Sequence, residues 1–590
     1  MRANISLWLV VFLGVMSSAF GYVALFPTTG GVKAIWPLVE GSSLISTNNL
    51  NVRNQAIRYY LATDGTGSPD GDRNAELNAL RASFDQWASV PGTQLRFEEG
   101  GLIDGFIDVN SADGTNVVYW CNTQRMAAGE NCDIGGALGI TFRAFVDDIP
   151  VESDIVLNGF IDWFTDFNDS DNSATFVEAV ALHEIGHLIG LDHSPVGVAT
   201  MFARGGKGLS SQAGLSVDDI AGVRALYPVD DNPYYRHRII GVATMNGEPV
   251  FGAAVFVSDE HDNLFVGTIT GEDGRFEVGG LPAGAYSVRA SPLDAIDAPT
   301  RIVTGIDIIA ESRFRDIETG FLPTASQTVE LGEETEGELL FELTEGEPAR
   351  RLTRVRPFIE DDLFLRISNA GTVISGSARA GFIGIYGSNL PASGATLRLS
   401  GTGISYGKSV FESDIFQIGG LSFDLISVPI EIGIDVVPGI RSLILKHNGE
   451  ESWVNGFVDL LPNKIDWDFD GVSDAYERRF FEVFTVAESR ADQDPDGDGV
   501  PNYSESLAQT DPLDAASFLD LESITIRAGG SEILWRSEPD VHYRVWARDD
   551  LVGEPWQILA RDVVSAGLQS TFVDADSTRP NRFYRIEPLP

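Results

Sequence analysis

Histidine is scarce in this 590-residue sequence. There are seven, and none occurs between Met1 and Leu182. That excludes a cage of imidazoles from the first third of the chain. Cysteine is scarcer still, with Cys121 and Cys132 alone. In an oxidising compartment so close a pair is expected to form a disulfide; the other reading is two reduced bystanders. Bases are outnumbered, 41 against 86 acids, for a formal net charge of −45. Such a surface repels polyanions, which excludes nucleic acid and anionic lipid as main partners. After Ile5–Met16 no apolar run approaches the roughly 20 residues that a membrane span needs.

What is present is enough apolar residue, 43%, to build cores. At roughly 100–200 residues per domain the length predicts several of them. The start, "MRANISLWLVVFLGVMSSAFG", has one Arg, a short apolar run and then small residues. This is the layout of a secretory signal over residues 1–21, so the mature chain is expected outside the cell and soluble.

Residues 22–230 read as mixed α and β. "VKAIWP", "QAIRYYLAT", "QLRFEE", "GFIDVN", "NVVYWC", "GITFRAFV" and "SDIVLN" are strand candidates. Leu77, Leu80, Phe84 and Trp87 fall at helical spacing. "ATFVEAVALHEIGHLIG" predicts a second helix ending at Gly190, and "SVDDIAGVRALY" a third with Ser216 as N-cap. "VDDNPYYRHR" reads as a linker. Beyond it the pattern is short strands between Gly, Asn and Asp turns.

Three of the seven histidines lie within "HEIGHLIGLDH", residues 183–193. In a helix His183 and His187 stand one turn apart on one face, so both reach one ion. Gly190 permits a left-handed turn that brings His193 back as a third ligand. Three protein ligands leave one position of a tetrahedral zinc open, as a catalytic site requires. Glu184 stands beside that position as the candidate general base. Ile185, Leu188, Ile189 and Leu191 are read as core packing.

"VEAVALHEIGHLIGLDHS" resembles the matrixins, the metzincin branch that contains the matrix metalloproteinases. Met201, in "VGVATMFA", stands where that family places its Met-turn, although Phe202 and Ala203 follow where Pro is usual. The resemblance implies an α+β catalytic domain, a mixed twisted sheet plus three helices, followed here by all-β sandwich modules. It implies one catalytic Zn²⁺ and an extended protein or peptide substrate lying along an edge strand at Gly139, Ile140, Thr141 and Phe142. Animal matrixins carry a second, structural zinc. Here Arg143 and Val156 stand at two of its His positions, with only carboxylates such as Asp147, Asp148 and Asp154 nearby, so a single zinc is expected.

"GEPVFGAAV" and "EDGRFEVGGLPAGAYSVRA" resemble a carboxypeptidase-regulatory-like β-sandwich, expected over 238–345. "SGSARAGFIGIYGSNLP" and "VVPGIRSLILKHNG" resemble an immunoglobulin-like IPT/TIG module over 352–460. A small β domain is expected at 520–590. Exposed aromatics in these modules would offer a surface to a protein or carbohydrate ligand, although Trp in a sandwich is more often core.

Two acidic dodecamers remain between 463 and 517. Asp466, Asp468, Asp470, the Val472 carbonyl, Asp474 and Glu477 fall at loop positions 1, 3, 5, 7, 9 and 12. Asp494, Asp496, Asp498, the Val500 carbonyl, Asn502 and Glu505 repeat the pattern. Hard oxygens at that spacing, with Gly471 and Gly499 at position 6, suit structural Ca²⁺. Position 8 is Ser473 or Pro501 rather than apolar, so the pair resembles thrombospondin type 3 or dockerin repeats more than an EF-hand pair. The expectation is a secreted zinc-dependent endopeptidase. The competing class is a non-catalytic adhesion or matrix-binding protein that retains a protease fold.

Overall fold

The computed structural model describes residues 35–589 apart from 39–45, 47, 52, 67–71, 105–112, 129–131, 133, 148, 168–173, 204–212, 230–231, 233, 293–319, 333–335, 347–350, 360–371, 375–379, 389, 419–420, 434, 463, 482, 528, 551–554 and 577–580. The signal segment 1–21, "GFIDVN" and Asp148 lie outside the described residues. The chain divides into two units, one ending at Asn463 and one running from Lys464 to Pro590.

The first unit opens with a six-stranded sheet. Its strands are β1 (Leu50–Asn51), β2 (Ala56–Ala62), β3 (Phe97–Ile103), β4 (Val117–Cys121), β5 (Gly139–Val146) and β6 (Ile149–Asn158). β2, β4 and β6 run parallel, β3 joins β2 in parallel, and antiparallel β5 pairs only with β6, which leaves β5 at the edge. Central β4, "VVYWC", is buried along its whole length, as a strand covered on both faces must be. One face packs against helices α1 (Arg73–Ser89) and α3 (Val177–Ile189) through Phe84, Trp87, Leu182 and Ile185. The other carries a smaller cluster with Tyr119, Val156 and the Cys121–Cys132 disulfide.

Helix starts follow local chemistry. Asp72 caps α1 by accepting from Asn74 N and Ala75 N. Ser216 and Asp219 form a reciprocal capping box on α4 (Val217–Leu226). The helical pattern of the sequence misses α2 (Thr123–Ala128), a short turn after β4, so this region has four helices among the described residues rather than three. "VKAIWP" was expected as a strand, but residues 35–37 pair with no sheet. Trp36 is held by its indole instead: Nε1 donates to Leu188 O at 3.0 Å, and its backbone N–H to Tyr227 Oη. The linker segment is docked as well, with the Arg224 guanidinium 3.5 Å above the Tyr235 ring.

The β-rich remainder of this unit has three sheets among the described residues. Strands His237–Met245, Arg275–Leu281 and Glu336–Glu345 belong to a five-stranded sheet, and Ala380–Ser388 and Leu421–Ile432 to another. The third has eight strands. It runs from Gln327–Leu331 through Ala254–Ser258 and Leu264–Ile269 to Gly439–His447 and Glu450–Leu460. Leu264 pairs with Ile440, so strands of the 238–345 and 352–460 segments share one sheet. Sequence alternation shows that a strand has a buried face but not which strand lies beside it, because pairing partners are distant in the chain.

In the second unit, helices Asp474–Phe480 and Asn502–Ala508 begin within the last third of each acidic loop, and no described residue among 461–473 or 481–501 is helical. Two three-stranded sheets complete it around Ile533, Trp535, Tyr543 and Val545.

The disulfide closes a loop of sequence separation 11 that carries α2. Loop closure of that size contributes about 2–4 kcal/mol. The Cys121→Ser, Cys132→Ser double variant is expected to lose that much in denaturant unfolding of this unit. An unchanged midpoint would show that packing of α2 alone holds the segment.

Candidate metal centre

Helix α3 carries the centre, and its C-terminal end is satisfied by the surrounding core. Gly190 has φ 107°, the left-handed conformation that a Cβ opposes. It closes a Schellman turn, with Gly190 N donating to His187 O and Leu191 N to Gly186 O. The last carbonyls find side-chain donors in Trp36 Nε1, which reaches Leu188 O, and Tyr227 Oη, which reaches Ile189 O at 2.7 Å. The chain then doubles back and delivers His193 to the face that already presents His183 and His187.

Each of the three histidines offers a ring nitrogen, and these lie within 4.8 Å of one another. Ring centroids are 4.7, 4.9 and 5.2 Å apart. His183 Nδ1–H donates to Thr200 O at 2.7 Å, and His187 Nδ1–H to Leu191 O at 2.8 Å. Those bonds select the tautomer that leaves Nε2 as a lone-pair donor. Burial lowers the pKa of all three rings, that of His187 to about 3, so the neutral ligating form prevails. Three half-buried neutral imidazoles that offer ring nitrogens within 4.8 Å of one another are a donor set that fits zinc.

Glu184 is buried beside them. Thr141 Oγ1, on edge strand β5, donates to Glu184 Oε2 at 2.6 Å and also to its backbone carbonyl at 2.9 Å. A Cβ at Gly139 would fall 2.8 Å from Glu184 Oε1, so the strand makes room for the carboxylate there. The sequence marked Gly139 and Thr141 only as edge-strand backbone. The contact of Thr141 with Glu184, and the space that Gly139 leaves for it, become visible only when β5 lies against α3.

Met201 is buried against α3. Its Sδ occupies the space that a Cβ at Gly186 would need, so the unassigned Gly of "HEIGH" is a packing requirement. Asp219 of α4 holds the turn: Oδ2 accepts from Thr200 N at 2.8 Å and Oδ1 from Met201 N at 3.0 Å. The capping-box spacing located Asp219 at a helix start but gave no sign that it also grips the Met201 turn.

Arg143 is buried on β5, and burial lowers its pKa to about 10. Val156 lies in the disulfide cluster, and Asp154 Oδ1 accepts from Val117 N.

Residues 52–228 match the matrixin family. Residues 240–301 match the carboxypeptidase regulatory-like domain. Metalloendoproteinase 4-MMP of Arabidopsis thaliana is 31% identical over 158 residues, 26% of this chain and 40% of that protein. Neutrophil collagenase of Homo sapiens is 33% identical over 207 residues, 35% of this chain and 37% of that protein. The hatching enzyme of Paracentrotus lividus is 28% identical over 197 residues, 33% of this chain and 28% of that protein. The chain thus spans 40% or less of the length of these relatives. The solved full-length major pilin RrgB from Streptococcus pneumoniae aligns with 60% of this chain and 62% of its own at 9% identity and a TM-score of 0.13, too low to carry an argument. Matrixins are zinc-dependent metalloproteases, and the histidine trio lies inside the matched segment. No helix among the described residues is long and apolar enough to cross a membrane.

The second unit brings the two acidic loops to the same local form. Gly471 and Gly499 have φ 95° and 93°. Their N–H groups donate to Asp466 Oδ2 and Asp494 Oδ2, and Val472 N and Val500 N to Asp470 Oδ1 and Asp498 Oδ1. Ligand oxygens of Asp468, Asp470 and Glu477 lie within 4.8 Å of one another, as do those of Asp494, Asp496 and Asp498. Glu477 is fully buried, yet neither of its oxygens meets a hydrogen-bond donor, the Ser489 hydroxyl being turned to Phe484 O. Burial and the neighbouring Asp468 and Asp470 charges raise its pKa to about 10. Glu505 is raised to about 7, again chiefly by burial. Buried carboxylates without a compensating charge are costly.

Proposed function

We propose that this chain is a secreted zinc-dependent endopeptidase that hydrolyses protein substrates. The observation that carries the reading is the half-buried neutral His183–His187–His193 trio with Glu184 held beside it by Thr141. Zinc bound there would act as a Lewis acid toward the scissile carbonyl and acidify a water molecule. Glu184 accepts the proton of the attacking water and returns it to the leaving amine. Thr141 fixes the carboxylate for that transfer. Residues 139–142 lie on β5, which pairs with no strand on its outer side among the described residues and would receive an extended peptide there by strand addition. The complete ligand set and retained Glu184 weigh against a non-catalytic adhesion protein.

We also propose Ca²⁺ in each acidic loop, at Asp466, Asp468, Asp470, Val472 O, Asp474 and Glu477, and at Asp494, Asp496, Asp498, Val500 O, Asn502 and Glu505. The role is structural, since the unpaired oxygens of Glu477 and Glu505 lie at the base of short helices rather than in an open cleft.

The test uses the purified full chain. Dialysed protein is expected to hold one zinc per chain by elemental analysis and to cleave unfolded protein in a proteome-wide cleavage profile. Two zincs per chain would overturn the single-centre reading, and zinc-loaded protein that cuts nothing would overturn the peptidase.

A further inference from the structure

The loop from His193 to Phe202 has the metal helix on one side and, on the other, strands that lie more than fifty residues further along the chain. Val198 N donates to Gly456 O at 2.8 Å. The Phe457 ring fills the place of a side chain at Gly197, where a Cβ would come within 2.5 Å of it. Phe202, which follows Met201 directly, is fully buried with its ring centroid 5.5 Å from that of Phe457. Gly267 N donates to Asp218 Oδ1 at 2.7 Å, while Asp218 Oδ2 accepts from Ser194 Oγ at 2.6 Å, directly after the third histidine. Val196, Val198, Ala199 and Phe202 therefore belong to the core of the β-sandwich and not to the core beneath α3.

From this we propose that Gly456 and Phe457, on the strand Glu450–Leu460, are positioning residues of the metal centre, so that the downstream β module is a working part of it. The connection is short. The loop held by Gly456 and Phe457 supplies Thr200 O, which orients His183, and Met201, which supports the helix turn at Gly186. Ser194 N closes the loop on Met201 O at 2.8 Å, so a shift of its outer side moves the residue after His193. Ring orientation set from behind the ligands tunes metal affinity. The inference rests on the histidine trio being a zinc site, as proposed above, but not on peptidase activity.

The experiment compares full-chain Phe457→Ala, Phe457→Leu, Gly197→Ala and the Gly197→Ala, Phe457→Ala double variant. Zinc affinity is read by chelator competition, and ligand geometry by the visible absorption band of the Co²⁺-loaded protein. Phe457→Ala is expected to weaken zinc about tenfold and shift the Co²⁺ band, with Phe457→Leu restoring most of both. Gly197→Ala is expected to do the same, and less so when the Phe457 ring is also removed, since the clash is then relieved. Val288→Ala, in the core of the first sandwich, serves as a control that lowers stability without touching the loop. Affinity and spectrum within twofold of wild type in both Phe457→Leu and Gly197→Ala would overturn the proposal even if Phe457→Ala fails to fold. Wild-type protein that binds no zinc would instead overturn the zinc reading itself.

Discussion

Glu184→Gln is expected to leave zinc content unchanged and to reduce peptidase turnover by about 10²–10⁴-fold. The loss corresponds to about 3–5 kcal/mol of transition-state stabilisation. The reasoning is local. Glu184 lies outside the set of imidazoles that converge on the centre. A Gln at 184 is nearly isosteric and can still accept the Thr141 hydroxyl through its amide oxygen, so the β5–α3 contact survives. What it cannot do is take a proton from water. The two readouts must therefore separate: metal retained, turnover lost. Glu184→Gln protein keeping more than about a tenth of wild-type turnover, at equal zinc content, would show that the proton goes elsewhere.

Replacing calcium by chelator is expected to accelerate proteolytic nicking within residues 463–517 about 100-fold. That figure assumes calcium at about a hundred times its dissociation constant, where linkage gives about 2.7 kcal/mol and cleavage follows the population of the opened form. The cause is electrostatic. Asp468, Asp470 and Glu477 present oxygens within 4.8 Å of one another, and Glu477 is fully buried without a donor. Without a cation these groups either repel or take up protons. Asp470 also accepts from Ala491 N at 2.6 Å, which ties the first loop to the segment leading into the second. Asp470→Ala is accordingly expected to reproduce the nicking in the presence of calcium, with cuts concentrated around 466–493. The Glu184→Gln background prevents self-digestion from entering the measurement. Equal nicking rates with and without calcium would leave two plain acidic turns.

The parts legible in the sequence are those whose physics is local. A helix repeats every 3.6 residues, so His183 and His187 declare their common face from spacing alone, with Glu184 to the side of it. Gly190 signals a left-handed turn and Ser216 a cap for the same reason. The dodecamer rhythm of the acidic loops is also local, because a loop of twelve residues folds its own ligands together. Departures from the expected elements have local causes too. Residues 35–37 look like a strand by composition, but the Trp36 indole finds its partner at a helix end and not in a sheet.

Long-range contact decided the rest. No spacing connects Thr141 to Glu184, Asp219 to Met201, or Gly197 to Phe457, because each pair meets only after separate elements pack. Leu264 pairs with Ile440 across 176 residues of sequence, and that pairing joins what reads as two modules into one sheet. The sequence by itself determined the kind of metal chemistry, since ligands within one helix and one turn carry their own geometry. Tertiary structure alone decided what holds those ligands still, since hydrogen bonds and packing between distant segments leave no periodic trace in the chain.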